Sequence, residues 1–245
     1  MKIALCISGQ PRAYEKGYDD IKKYYLDKYN IDVFIHTWKD NIYKGTPFFE
    51  GDDKTKVYEY NKNMYSDLVG LYNPKSFLID NQIQFVSKDT TGTMWRQSIQ
   101  NSLSMWYSIY KANELKLNYE KINNFQYDFV IRTRTDLKFD LVLDDIESYN
   151  KKSITLHKWK TSHPQVTYGY KDCFAIGGSD VMNIYSSLYH YIPFYLQNDK
   201  DYKNSINNED HLRNEYFLKW HLSKNKINVN EIDTGTDKIG FTFYR

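Results

Sequence analysis

Two short, continuous apolar runs with a helix-like segment between them constrain the fold of this 245-residue chain more than any other feature. Residues 2–8 and 31–37 show no polar alternation, which is expected of strands buried on both faces of a parallel sheet. Between them, Tyr14, Tyr18 and Ile21 recur at helical spacing. The order strand, helix, strand predicts a βαβ unit and therefore an α/β fold.

The rest of the chain continues this alternation and predicts a mostly parallel central sheet flanked by helices. Further strands are predicted at 75–79, 127–133, 153–157 and 172–176, with short ones after 226. Helices are predicted at 58–71, 95–110, 179–188 and 208–222, with Ser179 or Asp180 as N-cap of the third and a loop at 89–93. Because no internal repeat or linker interrupts the pattern, we expect a single domain over 1–245.

The bulk composition argues against several classes of protein. With 33 basic and 31 acidic residues, the chain has no block of like charge typical of a nucleic-acid arm. Cys6 and Cys173 cannot form a disulfide framework and match no zinc motif. No run approaches the roughly 20 apolar residues that span a bilayer, and the first apolar run is too short for a signal peptide. We therefore expect a cytoplasmic protein without a transmembrane segment or nucleic-acid partner; peripheral membrane contact stays open.

Three polar clusters follow predicted strands and indicate where a site would lie. The clusters are residues 8–12, 36–38 and 132–136. Ligands of open α/β sheets bind beyond the carboxyl ends of the strands, and parallel pairing would bring these ends to one edge. In an extended chain Arg132, Arg134 and Asp136 would share one face. Arginine forks suit diphosphate oxygens, and a carboxylate beside them suits Mg²⁺ or Mn²⁺. The alternative is an ion-paired strand end in which Asp136 only neutralises its arginines.

The order of these motifs resembles the nucleotide-sugar glycosyltransferases of the GT-A fold, and more specifically the WavE-type lipopolysaccharide-synthesis transferases. The resemblance covers about residues 1–220 and rests on Ser8-Gly9-Gln10-Pro11-Arg12, Phe34-Ile35-His36-Thr37-Trp38, Arg96-Gln97, Tyr127-Asp128-Phe129-Val130-Ile131-Arg132-Thr133-Arg134-Thr135-Asp136 and Asp172-Cys173-Phe174-Ala175-Ile176-Gly177. It implies a GT-A-like (Rossmann-like) α/β fold, with a nucleotide-binding half at about 1–136 and an acceptor-side half at about 137–245.

The resemblance also implies roles for individual residues. The 8–12 loop would receive the nucleoside, and Arg96 would approach a phosphate or the base. Independently of the resemblance, Trp38 is a candidate to stack on a base or sugar, and a core tryptophan at a strand end is the equal alternative. The residues assigned in this way to the sugar donor are Ser8, Gly9, Gln10, Arg12, Trp38, Arg96, Arg132, Arg134 and Asp136.

A divalent cation, Mn²⁺ or Mg²⁺, is implied because Asp136 stands where the family's metal-binding aspartate stands. The chain departs from the family at the first position of the Asp-x-Asp pattern, which is Arg134. One metal carboxylate is therefore missing, which puts metal dependence in doubt. Arg134 would then replace part of the metal's charge at the leaving diphosphate. His221 is a further candidate for a distal metal ligand, against the alternative of a satisfied surface or core histidine.

Late carboxylates are candidates for the acceptor side. Glu209 and Asp210 resemble the Glu-Asp pair that many inverting transferases of this fold carry, where one carboxylate takes the proton of the acceptor hydroxyl. Their alternative role is to stabilise a helix start, with Asn207 as N-cap. Asp172 opens a predicted strand and would bind an acceptor hydroxyl, or else only end a turn.

Together these features predict transfer of a sugar from a UDP-, GDP- or dTDP-sugar to a hydroxyl of a surface, capsular or lipopolysaccharide-type glycan or glycolipid. One alternative is a catalytically degenerate module of the same fold that binds a nucleotide sugar or a glycan without turnover. Another is a non-enzymatic scaffold or nucleic-acid binder, which predicts salt-sensitive binding to oligonucleotides.

Overall fold

The computed structural model describes residues 1–39, 63–87, 98–139, 145–157, 169–205 and 213–232, together with the backbone of 241–243. The short apolar runs form a central sheet, because each buries side chains on both of its faces. Its strands are β1 (Ile3–Gly9), β2 (Ile31–Lys39), β3 (Ser76–Asn81), β4 (Phe129–Thr133), β6 (Ser153–His157), β7 (Ala175–Gly177) and β8 (Asn228–Ile232). A second, two-stranded sheet pairs β5 (Leu137–Phe139) with β9 (Phe241–Phe243).

Helices pack on both faces of the central sheet. They are α1 (Tyr14–Ile21), which continues into a π-helical turn at Lys22–Leu26, α2 (Met64–Tyr72), α3 (Ile99–Ile122), α4 (Ser179–Gln197), α5 (Lys200–Asn204) and α6 (Asn214–Lys224). A 3₁₀ turn follows at Ile146–Ser148.

The strands of the central sheet lie in the order β3-β2-β1-β4-β7-β6-β8. β1 pairs in parallel with β2 and β4, β2 with β3, and β6 with β8. β7 runs antiparallel to both of its neighbours, β4 and β6. The prediction of an α/β fold with a mostly parallel, helix-flanked sheet is therefore confirmed, and β7 makes the sheet mixed. Strands from both halves of the chain share this one sheet.

The chain reverses its direction across the sheet between β1 and β4. From β1 it continues to β2 and β3 on one side, and it later returns to β4 on the other side. Such a reversal leaves a crevice outside the carboxyl ends of the two strands, and this is where ligands bind in open α/β sheets. The topology thus singles out the residues that follow β1 and β4.

Each face of the sheet has its own apolar core, because successive side chains of a strand point to opposite faces. Cys6 of β1 lies in the core that includes Trp106 of α3 and Tyr185 of α4. Its neighbour Leu5 lies in the opposite core, with Ile21 of α1. Strand ends are thereby fixed between two packed layers, and the polar residues that follow them are held at the sheet's edge.

Several sequence-based boundaries are corrected by the structure. Strand β7 begins at Ala175 rather than at 172, since the carbonyl of Asp172 accepts hydrogen bonds from the side chains of Arg132 and Tyr185. Helix α4 begins where expected, but its N-cap is Gly178 rather than either residue proposed. The predicted loop at 89–93, the start of the helix at 95 and the start of the helix at 208 lie outside the described residues.

Within the described ranges, no helix combines the length and the apolar character that crossing a bilayer requires.

Candidate functional site

The polar clusters at the ends of β1, β2 and β4 meet at one edge of the sheet, as predicted. Ser8 is in register with His36 of β2, and Cys6 is in register with Arg132 of β4. Because the three strands are parallel and adjacent, their carboxyl ends open onto the same crevice. The site therefore has to be built from the loops that follow them.

Strand β1 ends, where the loop leaves it, in a glycine that the backbone requires. Gly9 has a φ of +110°, a left-handed conformation that disfavours any residue with a Cβ. Its N–H donates to Oγ of Ser108 on α3 at 2.7 Å. Ser8 is buried, and its Oγ has no hydrogen-bond partner among the described residues. A side-chain hydrogen bond joins Arg12 to Gln10 within the loop.

The turn after β4 is tied directly to this loop. The hydroxyl of Thr135 lies 3.0 Å from the carbonyl of Arg12 and 3.3 Å from that of Gln10. Gly17 of α1 also touches the turn, since a Cβ added there would lie 1.7 Å from the carbonyl oxygen of Thr135. A side chain at this position would push the helix off the turn. The two loops and the start of α1 thus form one packed unit.

Arg132 is the most deeply buried cation of the site, with 2% of its surface exposed. It donates from Nη1 to the carbonyl of Asp172, while its Nε has no hydrogen-bond partner among the described residues. A buried guanidinium N–H without an acceptor is costly. Arg132 lies in β4, one residue before the strand ends at Thr133.

Arg134 and Asp136 form a bidentate ion pair. Nε of Arg134 donates to Oδ1 of Asp136 at 2.8 Å, and Nη2 donates to Oδ2 at 2.7 Å. Desolvation lowers the pKa of Arg134, but the charge and hydrogen bonds of Asp136 outweigh it and raise the pKa overall. The extended alternation predicted for 132–136 is wrong, because β4 ends at Thr133 and a turn folds Arg134 back onto Asp136.

Asp172 lies beside the two arginines. Burial raises the pKa of its carboxyl, and the charges of Arg132, Arg134 and Lys171 oppose that rise. Desolvation lowers the pKa of Lys171 itself. The structure therefore places Asp172 in the same charged cluster as the β4 end, and its proposed contact with an acceptor stays a prediction.

Trp38 is enclosed in the core at the end of β2, with 1% of its surface exposed. Its ring stacks on Tyr107 of α3, with centroids 5.3 Å apart and an interplanar angle of 25°. Tyr107 is half-buried and also contacts Phe85 and Tyr189. This placement corresponds to the core-tryptophan alternative, and Tyr107, not Trp38, offers the more accessible ring.

His36, the first residue of the predicted 36–38 cluster, forms a polar network with Ser108, Asp80 and Tyr107, which the sequence patterns did not select. Nδ1 of His36 lies 2.8 Å from Oγ of Ser108, and Nε2 lies 3.1 Å from Oδ2 of Asp80. The hydroxyl of Tyr107 donates to the same Oδ2 at 2.9 Å. Burial lowers the pKa of His36 to about 4, against the raising effect of Asp80. One signal was present, since Asp80 is the last residue but one of β3, just as His36 lies near the end of β2.

The described residues around Asp136 do not fit a divalent cation as they are arranged. Both oxygens of Asp136 are engaged by Arg134. In the described part of the chain, no group of three or more His, Cys, Asp and Glu side chains is placed to hold a metal ion. His221 is a satisfied core histidine, because its Nδ1 lies 2.8 Å from the hydroxyl of Tyr195 and its Nε2 2.8 Å from the carbonyl of Ile184. The divalent cation stays a prediction.

Three of the predicted site residues, Arg96, Glu209 and Asp210, lie outside the described residues. Their roles at the donor and as general base also stay predictions.

Comparison with known families and proteins returns no relative: no protein-family model and no curated protein matches the chain. The assignment of the site therefore rests on its geometry and on the motifs at its strand ends.

Proposed function

We propose that the chain is a GT-A-like glycosyltransferase that binds a nucleoside-diphosphate sugar in the crevice between the ends of β1 and β4. The observation that carries this proposal is Arg132, a buried guanidinium at the topological switch point whose Nε has no acceptor among the residues that the structure describes. A phosphate oxygen is an acceptor that suits a guanidinium.

The charges around the crevice suit a diphosphate. Among the described residues, the cations Arg12, Arg132, Arg134 and Lys171 lie around the two strand ends together with the carboxylates of Asp136 and Asp172. Asp136 holds the guanidinium of Arg134 in a fixed orientation. Preorganised cations of this kind stabilise the negative charge that develops on a leaving diphosphate.

The chemistry also needs a group that removes the proton of the acceptor hydroxyl. Asp210, or its neighbour Glu209, is proposed as the base of an inverting reaction, by the resemblance to the family's late Glu-Asp pair. Asp172 is proposed on the acceptor side. The order of motifs over about residues 1–220, which resembles the WavE-type transferases, supports a glycan or glycolipid as the acceptor.

One observation favours a second candidate function, a module that binds a nucleotide sugar without turnover. The fork between Arg134 and Asp136 leaves no free carboxylate oxygen at the position where the family holds its metal. A protein that had lost metal-assisted catalysis would retain the arginines that bind phosphate.

The test is to measure nucleoside-diphosphate release from UDP-, GDP- and dTDP-sugars, with and without Mn²⁺ and with glycan acceptors, beside calorimetric binding of the same donors. The transferase predicts binding and acceptor-stimulated release. Binding without release on any acceptor would favour the second candidate. Absence of binding to all donors, with salt-sensitive binding to oligonucleotides, would contradict both.

A further inference from the structure

A one-way chain of hydrogen bonds runs from the β1 loop to the end of β3. The N–H of Gly9 donates to Ser108 Oγ at 2.7 Å, and Ser108 Oγ lies 2.8 Å from Nδ1 of His36. Nε2 of His36 lies 3.1 Å from Oδ2 of Asp80. The hydroxyl of Tyr107 closes the chain on the same oxygen, at 2.9 Å.

The chemistry of the two ends, together with a neutral imidazole ring, determines the direction of the bonds between them. A backbone N–H only donates and a carboxylate only accepts. Nε2 of His36 must then carry the proton that it shares with Asp80. In the neutral ring, which burial favours by lowering the pKa of His36, Nδ1 accepts from the hydroxyl of Ser108, and the other acceptor near that hydroxyl is the carbonyl of His36 at 3.4 Å. The charged groups that face His36 are Asp80 and, more weakly, Lys111 of α3. The network therefore specifies one neutral histidine tautomer.

Ser108, His36 and Asp80 are the residue types of a hydrolytic triad. They lack the hydrogen-bond geometry of such a triad, and the serine hydroxyl is not accessible to a substrate. In such triads Nε2 of the histidine faces the serine and Nδ1 faces the aspartate. Here the two ring nitrogens are exchanged, and Ser108 is fully buried with its oxygen already accepting from Gly9. Ser108 is thus not a nucleophile, and the network has another use.

One end of this hydrogen-bond chain is Gly9, whose left-handed backbone conformation leads into the loop at the crevice. Gly9 has no neighbouring atom within 4 Å of the position that a Cβ would take, so packing against that position does not hold the turn. Ser108 holds it from the side of α3, and His36 and Asp80 in turn orient Ser108. The 27% exposure of the Asp80 side chain places the far end of the network within reach of solvent.

We propose that Ser108 and His36 are positioning residues that fix the left-handed turn at Gly9 and, through it, the loop that receives the nucleotide. The identity of the ligand in this inference rests on the proposed function, whereas the existence of the hydrogen-bond network does not. Ser108 and His36 act through Gly9 and touch no reacting atom.

The experiment compares wild-type protein with Ser108→Ala, Ser108→Thr and the matched control Ser102→Ala. Ser102 is also a buried serine on α3, but its Oγ has no hydrogen-bond partner among the described residues. Exchange of the Gly9 amide is followed by NMR with glycine-selective ¹⁵N labelling. The ring nitrogens of His36 are assigned by long-range ¹H–¹⁵N correlation. Dissociation constants for UDP, GDP and dTDP are measured calorimetrically, well below the unfolding temperature of every variant.

In wild-type protein we expect the Nε2–H tautomer of His36. In Ser108→Ala the Gly9 amide should exchange at least about tenfold faster, and the dissociation constant of the bound nucleotide should rise about tenfold, as for one lost hydrogen bond of ordinary strength. Ser108→Thr keeps the hydroxyl and should restore both values, and Ser102→Ala should leave both unchanged.

Detection of a proton on Nδ1 of His36 in the wild-type protein would by itself contradict the proposed hydrogen-bond network. Faster Gly9 exchange with unchanged nucleotide affinity would overturn the positioning role. If wild-type protein bound none of the three nucleotides, the proposed function would fail, while the exchange and tautomer data would still decide whether Ser108 and His36 hold the turn.

Discussion

Arg134 holds Asp136 through two parallel hydrogen bonds, from Nε to Oδ1 and from Nη2 to Oδ2, at 2.8 and 2.7 Å. Because both carboxylate oxygens are engaged, Asp136 orients a guanidinium instead of presenting an oxygen to a cation. The turn after β4 thus supplies the counter-charge of Arg134 two residues later in the sequence. A phosphate at this strand end would meet an arginine of fixed orientation.

Replacement of Asp136 by Asn should weaken both stability and nucleotide binding. The side chains of Arg134 and Asp136 are 21% and 5% exposed, so the variant leaves a mostly buried guanidinium without its counter-charge. We expect a loss of roughly 2–4 kcal/mol in the free energy of unfolding, measured by urea titration. Transferase activity should fall to the same extent with and without Mn²⁺, because the loss acts through Arg134.

The matched control for this pair is Asp27→Asn. Asp27 forms an ion pair of similar length with Lys22, 2.8 Å, but both side chains are about half exposed. Exposed pairs contribute little, so we expect no measurable change in unfolding. Loss of activity confined to Mn²⁺-containing assays of the Asp136 variant would contradict our assignment and restore Asp136 as a metal ligand.

Gly17→Ala should displace α1 from the turn after β4. The added Cβ would lie 1.7 Å from the carbonyl oxygen of Thr135, which is backbone and cannot swing aside. Overpacking of this kind costs about 1–3 kcal/mol or more, and we expect nucleotide affinity to fall with it. Gly70→Ala in α2 is the control, because nothing lies within 4 Å of its Cβ position. It should stabilise the helix by up to about 1 kcal/mol. Equal effects of the two substitutions would show that the helix does not rest on the turn.

Acid should destabilise the fold through His36 and His221. Burial lowers the pKa of each to about 4, whereas the unfolded chain titrates near 6.5. Above pH 6.5 both states are neutral and the histidines contribute nothing to the pH dependence. As the pH falls from 6.5 towards 4 the unfolded state takes up protons first, so stability falls, by roughly 2 kcal/mol for each histidine at pH 5.

Urea titrations between pH 7.5 and pH 5 measure this loss. His221→Gln should remove about half of it. An unfolding free energy that stays constant over this range would contradict neutral buried histidines.

The substitution Arg132→Lys keeps the positive charge but removes the guanidinium fork, so it tests which of the two the site requires. The ammonium group lacks the second donor direction and the fork that suits phosphate oxygens. We expect activity to drop by about 10²-fold or more, as for removal of one preorganised donor at a developing charge. Lys151→Gln is the control, because Lys151 is 53% exposed and pairs with Asp128, which precedes β4 at the opposite edge. Full activity of Arg132→Lys would exclude a specific role for the fork.

The strands and the place of the site follow from sequence because they depend on local pattern. The apolar runs at 2–8, 31–37 and 153–157 each became a strand of the central sheet. Once strands are parallel and adjacent, their carboxyl ends meet at one edge by geometry alone, so the convergence of Ser8, His36 and Arg132 needed no further information.

Other features depend on contacts between distant parts of the chain. Lys116 and Glu120 are four residues apart on α3 and have the pattern of a solvated helix face. In the fold they are buried against α4, where Glu120 accepts from Ser179 at 2.8 Å and Lys116 donates to Asn183 at 2.9 Å. Nothing in the spacing of the two charges marks them as core residues.

The sequence by itself determined the α/β class, the strand positions and the edge at which polar residues gather, because apolar periodicity and parallel pairing are local rules. Only the tertiary structure decided that β7 is reversed, that Arg134 turns back onto Asp136 and that Ser108 joins Gly9 to His36. Each of these depends on which groups satisfy one another once water is excluded, and Gly9 and Ser108 are 99 residues apart along the chain.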